Sequence, residues 1–159
     1  MNPITSETFF VSMLNAGAIL SGFCGTFLVF RIQREAAYYR QPAVDYHEDK
    51  GKDVYIGLTH FTSAFLLLVL ATVCSATFGF VFPLLALSGC EWVSANPGFV
   101  VGGMIATLLL IAAYFLAELI HCEILRKLRS DVREWKRELW VVGLGVFSAV
   151  VAVWWFGSR

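Results

Sequence analysis

Residues 9–30 read FFVSMLNAGAILSGFCGTFLVF and contain no charged side chain. Three further runs without Asp, Glu, Lys or Arg follow, over residues 54–90, 99–117 and 139–158. A helix of about 20 apolar residues is long enough to cross a hydrocarbon core about 30 Å thick. Hydrophobic residues make up 58% of the chain. The sequence therefore predicts an all-α integral membrane protein, with four transmembrane helices in a compact bundle.

Nearly every residue lies in one of these runs or in a connection between them, so residues 1–159 are interpreted as one four-helix transmembrane domain. The predicted spans cover residues 9–31, 55–86, 98–122 and 139–157, and the long connections cover residues 32–54 and 123–138. The second span is longer than a membrane requires, and Pro83 is the place where its helix is expected to break.

The charged residues are balanced in number but not in position. Lys and Arg total 12, as do Asp and Glu, so net charge gives no reason to expect a nucleic-acid partner. Ten of the 12 basic residues fall in the two long connections, Arg31 lies at the end of the first span beside one of them, and the remaining one is Arg159. Positively charged loops stay in the cytoplasm. Both long connections are therefore predicted to be cytoplasmic and both termini outside, in a multi-pass protein of the bacterial inner membrane or an equivalent membrane.

The first span carries a polar face. Steps of four and three residues place eight positions on one side of a helix, and six of these are polar or glycine. The eight positions are Thr8, Ser12, Asn15, Ile19, Gly22, Thr26, Val29 and Gln33. An amide in hydrocarbon is costly unless it finds hydrogen-bond partners. Asn15, Gly22 and Thr26 are therefore predicted either to line a narrow pore around a symmetry axis or to form a hydrogen-bonded helix seam.

Small residues recur at intervals of four in two spans. They are Gly17, Ser21 and Gly25 in the first span, and Gly98 and Gly102 at the start of the third. Such spacing lets helix backbones approach closely within a membrane. These residues are predicted to pack helices together, in a compact bundle and in a homo-oligomer.

Five ionisable residues are predicted to lie near the cytoplasmic ends of the spans. They are Arg31, His60, Glu118, His121 and Glu123. Charged groups near a boundary can pair or extend to the interface at low cost, which favours a structural role. Handling of protons or cations, a metal site and a haem bound by His60 and His121 are the alternatives. No metal-binding or cofactor motif accompanies these residues, so neither a metal nor a cofactor is predicted.

The second long connection alternates apolar and basic residues. Leu125, Leu128, Val132 and Trp135 recur at intervals of three or four among Arg and Lys. This is typical of an amphipathic segment that rests on anionic lipid or binds a cytosolic protein. Residues 123–138 are therefore the predicted site for such a protein partner.

These patterns favour a non-enzymatic function, because the chain lacks recognisable catalytic motifs. The leading prediction is a small self-assembling membrane protein whose first helix lines an ion-conducting pore. The alternative is a membrane anchor or sensor that recruits a cytosolic partner through its basic segments.

Overall fold

The computed structural model describes the backbone of residues 3–40, 51–121 and 133–159, and the side chains of residues 6–33, 64–119 and 139–159. The described residues form helices and short turns, with no strand among them. In chain order the elements are α1 (Pro3–Arg40), α2 (Gly51–Ala76), a π-helical turn (Thr77–Val81), α3 (Phe82–Leu87), α4 (Glu91–Ala95), α5 (Pro97–His121) and α6 (Arg133–Gly157).

Four helical segments in the described residues are long and apolar enough to cross a membrane. They are Ser6–Gln33, Ala64–Leu87, Pro97–Leu119 and Leu139–Gly157. The predicted all-α class with four such helices is thereby confirmed, and the segments indicate a multi-pass membrane protein. The sidedness of the loops and the position of the termini stay predictions.

The helices pack side by side around α5. Helix α5 contacts both α2 and α6, whereas α1 packs mainly on α2, the π-helical turn and α3. The central position of α5 is reflected in burial: 44% of the residues in the apolar part of α5 are buried, but only 11% of those in the apolar part of α1. Most of the surface of α1 is therefore left open by the rest of the chain.

The two ends of the bundle differ in their side chains: one has an apolar cluster and the other an ion pair. At one end, Phe10 of α1 joins Val93 of α4 and Val100 of α5 in a small buried cluster. The α-carbon of Gly157 lies near the Phe99 ring at the same end. We call this the terminal end, because it holds the start of α1 and the end of α6. Arg31 and Glu118 lie together at the opposite end.

Pro83 changes the geometry of the second span just before its own position. A proline lacks the N–H that would bond to the carbonyl four residues earlier, and its ring clashes with that carbonyl, here that of Gly79. The helix widens over this turn, so that the Phe82 N–H bonds to the Thr77 carbonyl, five residues back. Such π-turns relieve local strain within an α-helix. The predicted break is thus a change of helix type, and the chain continues into α3.

The widened turn lies where α1 crosses the second span. Gly17 of α1 and Gly79 of the π-helical turn are both buried and meet backbone to backbone. A Cβ atom built on Gly79 would lie 2.6 Å from the Gly17 α-carbon. Only glycine at both positions permits this crossing, which fixes where α1 rests on the bundle.

Glycines also set the contact between α5 and α6. A Cβ atom on Gly102 would lie 2.9 Å from the Ala152 carbonyl oxygen and 3.0 Å from the Val153 α-carbon. Gly98 faces the Phe156 carbonyl in the same way. The two glycines named from the sequence in this span therefore lie in the interface between α5 and α6.

Alanine substitution at two glycines of α1 should have opposite effects on stability. Alanine is favoured over glycine in a helix by about 1 kcal/mol, and Gly25 has open space where a Cβ would be. Gly25→Ala should therefore be neutral or stabilising. Gly17→Ala forces the crossing apart, and overpacking of this kind costs about 1–3 kcal/mol. The measurement is the free energy of unfolding of the purified protein in detergent, and equal effects at both sites would contradict the crossing.

Candidate functional site: the polar stripe of the first helix

Helix α1 has a buried face with a regular spacing. Phe10, Gly17, Cys24 and Arg31 follow one another at intervals of seven residues, and all four are buried. Seven residues make two turns of a helix that packs along a neighbour, so these positions stay on one side. We call this set the seam of α1. It contacts the second span, and its two ends also reach other helices: Phe10 packs with Val93 of α4 and Val100 of α5, and Arg31 pairs with Glu118 of α5.

The opposite face of α1 carries the polar residues singled out in the sequence. All eight positions are exposed, and Ile19 is 76% exposed. We call these eight positions the polar stripe; they are Thr8, Ser12, Asn15, Ile19, Gly22, Thr26, Val29 and Gln33. The stripe runs the length of the candidate span Ser6–Gln33 and points away from the other helices of its own chain.

Two hydroxyl groups of the polar stripe bond within the helix. The Ser12 hydroxyl donates to the Thr8 carbonyl oxygen at 2.8 Å, and the Thr26 hydroxyl donates to the Gly22 carbonyl oxygen at 2.8 Å. The Asn15 amide has no hydrogen-bond partner among the described residues. It therefore presents two donors and an acceptor to whatever covers this face.

In the part of the chain that the structure describes, no other span has a fully exposed polar side chain, and Thr72, Thr77 and Ser148 are half-buried. The exposed residues of Ala64–Leu87, Pro97–Leu119 and Leu139–Gly157 are all apolar or glycine. They include large side chains such as Phe80, Leu108 and Phe147. An apolar exterior is what hydrocarbon requires. Among the described spans, fully exposed polar side chains are thus confined to α1, and all of them except Glu7 lie on the polar stripe.

The small residues predicted to pack α1 occupy different environments. Gly17 is buried in the crossing with Gly79, while Ser21 is half-buried and its hydroxyl has no hydrogen-bond partner among the described residues. Gly25 is also half-buried, but no atom lies within 4 Å of the place its Cβ would take. Gly22, on the polar stripe, has the same open space. Within one chain, only Gly17 of these residues is enclosed on all sides.

The structure brings together two of the five ionisable residues. A guanidinium nitrogen of Arg31 donates to a carboxylate oxygen of Glu118, joining α1 to α5. The Arg31 side chain is 4% exposed and that of Glu118 is 19% exposed. A buried ion pair of this kind has a structural role in the first place, because each charge needs the other to offset its loss of hydration.

The remaining ionisable residues cannot be placed in this way. The side chains of His60 and His121 and the whole of Glu123 lie outside the described residues. The described part of the chain contains no group of three or more His, Cys, Asp or Glu side chains that could hold a metal ion. Most of the predicted partner site at residues 123–138 likewise lies outside the described backbone, which resumes at Arg133.

Sequence reasoning named the polar stripe but missed half of the seam. Phe10 and Cys24 were not identified as contact residues, although their spacing of seven from Gly17 is visible in the sequence. The signal is weak because Phe10, Gly17, Cys24 and Arg31 share no chemical property. Gly79 had no signal of its own apart from its position four residues before Pro83.

Comparison of this chain with protein-family models, with the curated proteins and with solved structures finds no match. Function is therefore inferred from the residues and geometry of this chain alone.

Removing either partner of the ion pair should destabilise the fold, and to different degrees. Glu118→Gln leaves a buried guanidinium that cannot lose its charge, whereas Arg31→Met leaves a carboxyl group that can take up a proton. Breaking a buried pair costs about 3–5 kcal/mol, and we expect the Glu118 variant to approach that range and the Arg31 variant to lose less. Thermal unfolding in detergent measures both, with Arg159→Gln at the exposed C-terminal end as the control.

Proposed function

We propose that this protein assembles from several copies in a membrane, with the polar stripe of each α1 facing a shared axis, and that the assembly conducts small ions along that axis. One observation carries the proposal. In the described spans, every exposed polar side chain belongs to α1 and none to another helix.

The polar stripe supports assembly with copies of the same chain. In hydrocarbon, an unpaired amide or hydroxyl group is costly, and water is absent from the lipid side. The exposed stripe residues carry no charge, and the Asn15 amide both donates and accepts. A face of this kind is complementary to itself. Copies related by a rotation axis would bring their stripes together and leave the apolar surfaces toward lipid.

The length and composition of the stripe support a pore rather than a dry seam alone. From Thr8 to Gln33 the stripe extends about 38 Å at 1.5 Å per residue, which matches a full crossing. Gly22 leaves open space beside the helix. A dry seam needs a partner for every polar group along this length, whereas water in a pore supplies partners directly.

The packing of a single copy supports a pathway between copies rather than within one copy. Gly17 meets Gly79, and Gly102 lies against the backbone of Ala152, so neighbouring helices leave little room at these crossings. The hydroxyl of Thr107, inside the bundle, is fully buried and donates to the Gly103 carbonyl. The polar groups that could meet a hydrated ion are those on the outer face of α1.

Ile19 would form the narrowest apolar part of such a pore. It lies on the polar stripe between Asn15 and Gly22, and it is the most exposed of the large hydrophobic residues in the described chain. A ring of isoleucine side chains around an axis excludes water, and such hydrophobic constrictions gate channels by dewetting.

Replacement of Asn15 by leucine tests whether the stripe meets water. We expect purified wild-type protein in liposomes to conduct ions, and Asn15→Leu to conduct much less at matched oligomer content, because the substitution lengthens the apolar constriction. Ion flux and crosslinking of the same preparations measure conduction and assembly separately.

Two outcomes would overturn the pore. If Asn15→Leu abolishes the oligomer, Asn15 belongs to a hydrogen-bonded seam. If wild-type protein shows no flux across a range of pH, voltage and divalent ion concentration, the chain is better explained as a membrane anchor or sensor.

A polar substitution at Ile19 should increase conduction. Ile19→Ser removes the dewetted constriction and should raise ion flux several-fold over wild type. Leu108→Ser is the matched control, because Leu108 is exposed on α5, away from the polar stripe. The same liposome assay measures both variants, and an equal rise in the two would mean that serine causes a general leak.

A further inference from the structure

The chemistry of the polar stripe selects the class of ion, on the premise that the stripe lines the proposed pore. The eight stripe positions include no charged residue, so no full charge on the stripe determines selectivity; Glu7, exposed at the start of the span, lies outside the stripe. The discriminating groups are the hydroxyls of Thr8, Ser12 and Thr26 and the amides of Asn15 and Gln33.

The hydrogen bonds within α1 determine what two of these hydroxyls present outward. A serine or threonine hydroxyl has one proton to donate and two lone pairs to accept. Ser12 gives its proton to the Thr8 carbonyl and Thr26 gives its proton to the Gly22 carbonyl, each at 2.8 Å. Both residues are exposed. Their lone pairs are therefore the groups left for a passing ion.

Repeated around an axis, these two positions form two rings of oxygen acceptors. Ser12 and Thr26 are 14 residues apart in sequence, so the rings would lie about 21 Å apart along the helix, on either side of Ile19. Oxygen lone pairs replace the hydration shell of a cation, as in the selectivity filters of cation channels. An anion requires N–H or O–H donors. In the two rings formed by Ser12 and Thr26, the hydroxyl protons are already used in hydrogen bonds to backbone carbonyls.

We propose that the assembly conducts monovalent cations in preference to chloride, with Ser12 and Thr26 as the residues that set this preference. Neutral oxygen ligands also separate monovalent from divalent cations. Calcium and magnesium bind mainly where carboxylates help to replace tightly held water, and the polar stripe provides none.

The test is the reversal potential of purified protein in planar bilayers under a KCl gradient. Wild-type protein should reverse near the potassium equilibrium potential, and CaCl2 added to one side should not move that value toward the calcium equilibrium potential. The double variant Ser12→Ala with Thr26→Val, at matched oligomer content, should lose potassium preference several-fold and move toward zero.

Thr72→Val is the matched control. The Thr72 hydroxyl donates to the Leu68 carbonyl at 2.8 Å, the same bond as that of Thr26, but it lies on α2 and outside the stripe. It should leave the reversal potential unchanged. Reversal near the chloride potential, or unaltered selectivity in the double variant, would overturn the inference while the pore stands. Absence of current from both wild type and Ile19→Ser would instead overturn the pore, and the selectivity with it.

Discussion

The orientation of α1 depends on the contact between Gly17 and Gly79. Two backbones meet there without side chains between them, and Gly79 lies within the π-helical turn that precedes Pro83. Once Gly17 is held against this turn, the seven-residue spacing places Phe10, Cys24 and Arg31 on the same side. The opposite side, which carries the polar stripe, is then turned away from the chain. One close approach thus determines which chemistry the monomer presents outward.

The consequence is an uneven surface. The exposed side chains of three of the four described spans are apolar, as lipid demands, whereas α1 exposes hydroxyl and amide groups near both ends of its crossing beside apolar residues such as Ile19 and Phe23. In a lipid environment such groups are stable only where another helix or water forms hydrogen bonds with them. The seam of α1 accounts for one side of the helix within a single copy. The polar stripe therefore points to contacts beyond that copy, which is the physical basis of the assembly that we propose.

The sequence was sufficient for those features that depend on period and length. Uncharged runs predicted four helices, and steps of three and four residues placed Thr8, Asn15 and Thr26 on one face of α1. Whether that face of α1 is buried depends on which helix packs against it. The periodicity of the sequence does not identify the neighbouring helix. The environment of Gly25 shows the same limit: its spacing matches that of Gly17, but none of the described residues fills the position of its Cβ. Arg31 and Glu118 were expected at a similar depth, yet their pairing required α1 and α5 to be brought together in space.

The position of Arg31 is consistent with the uncharged pathway that we propose between copies. A ring of arginines on the stripe face would repel cations strongly, because few ions screen charges inside a narrow pore. Arg31 instead follows Phe10, Gly17 and Cys24 on the seam, and Glu118 of α5 takes up its charge. The pair thus has two effects on α1. It ties the end of the helix opposite the terminal end to α5, and it keeps the only positive charge among the described α1 side chains away from the face that carries the oxygen acceptors.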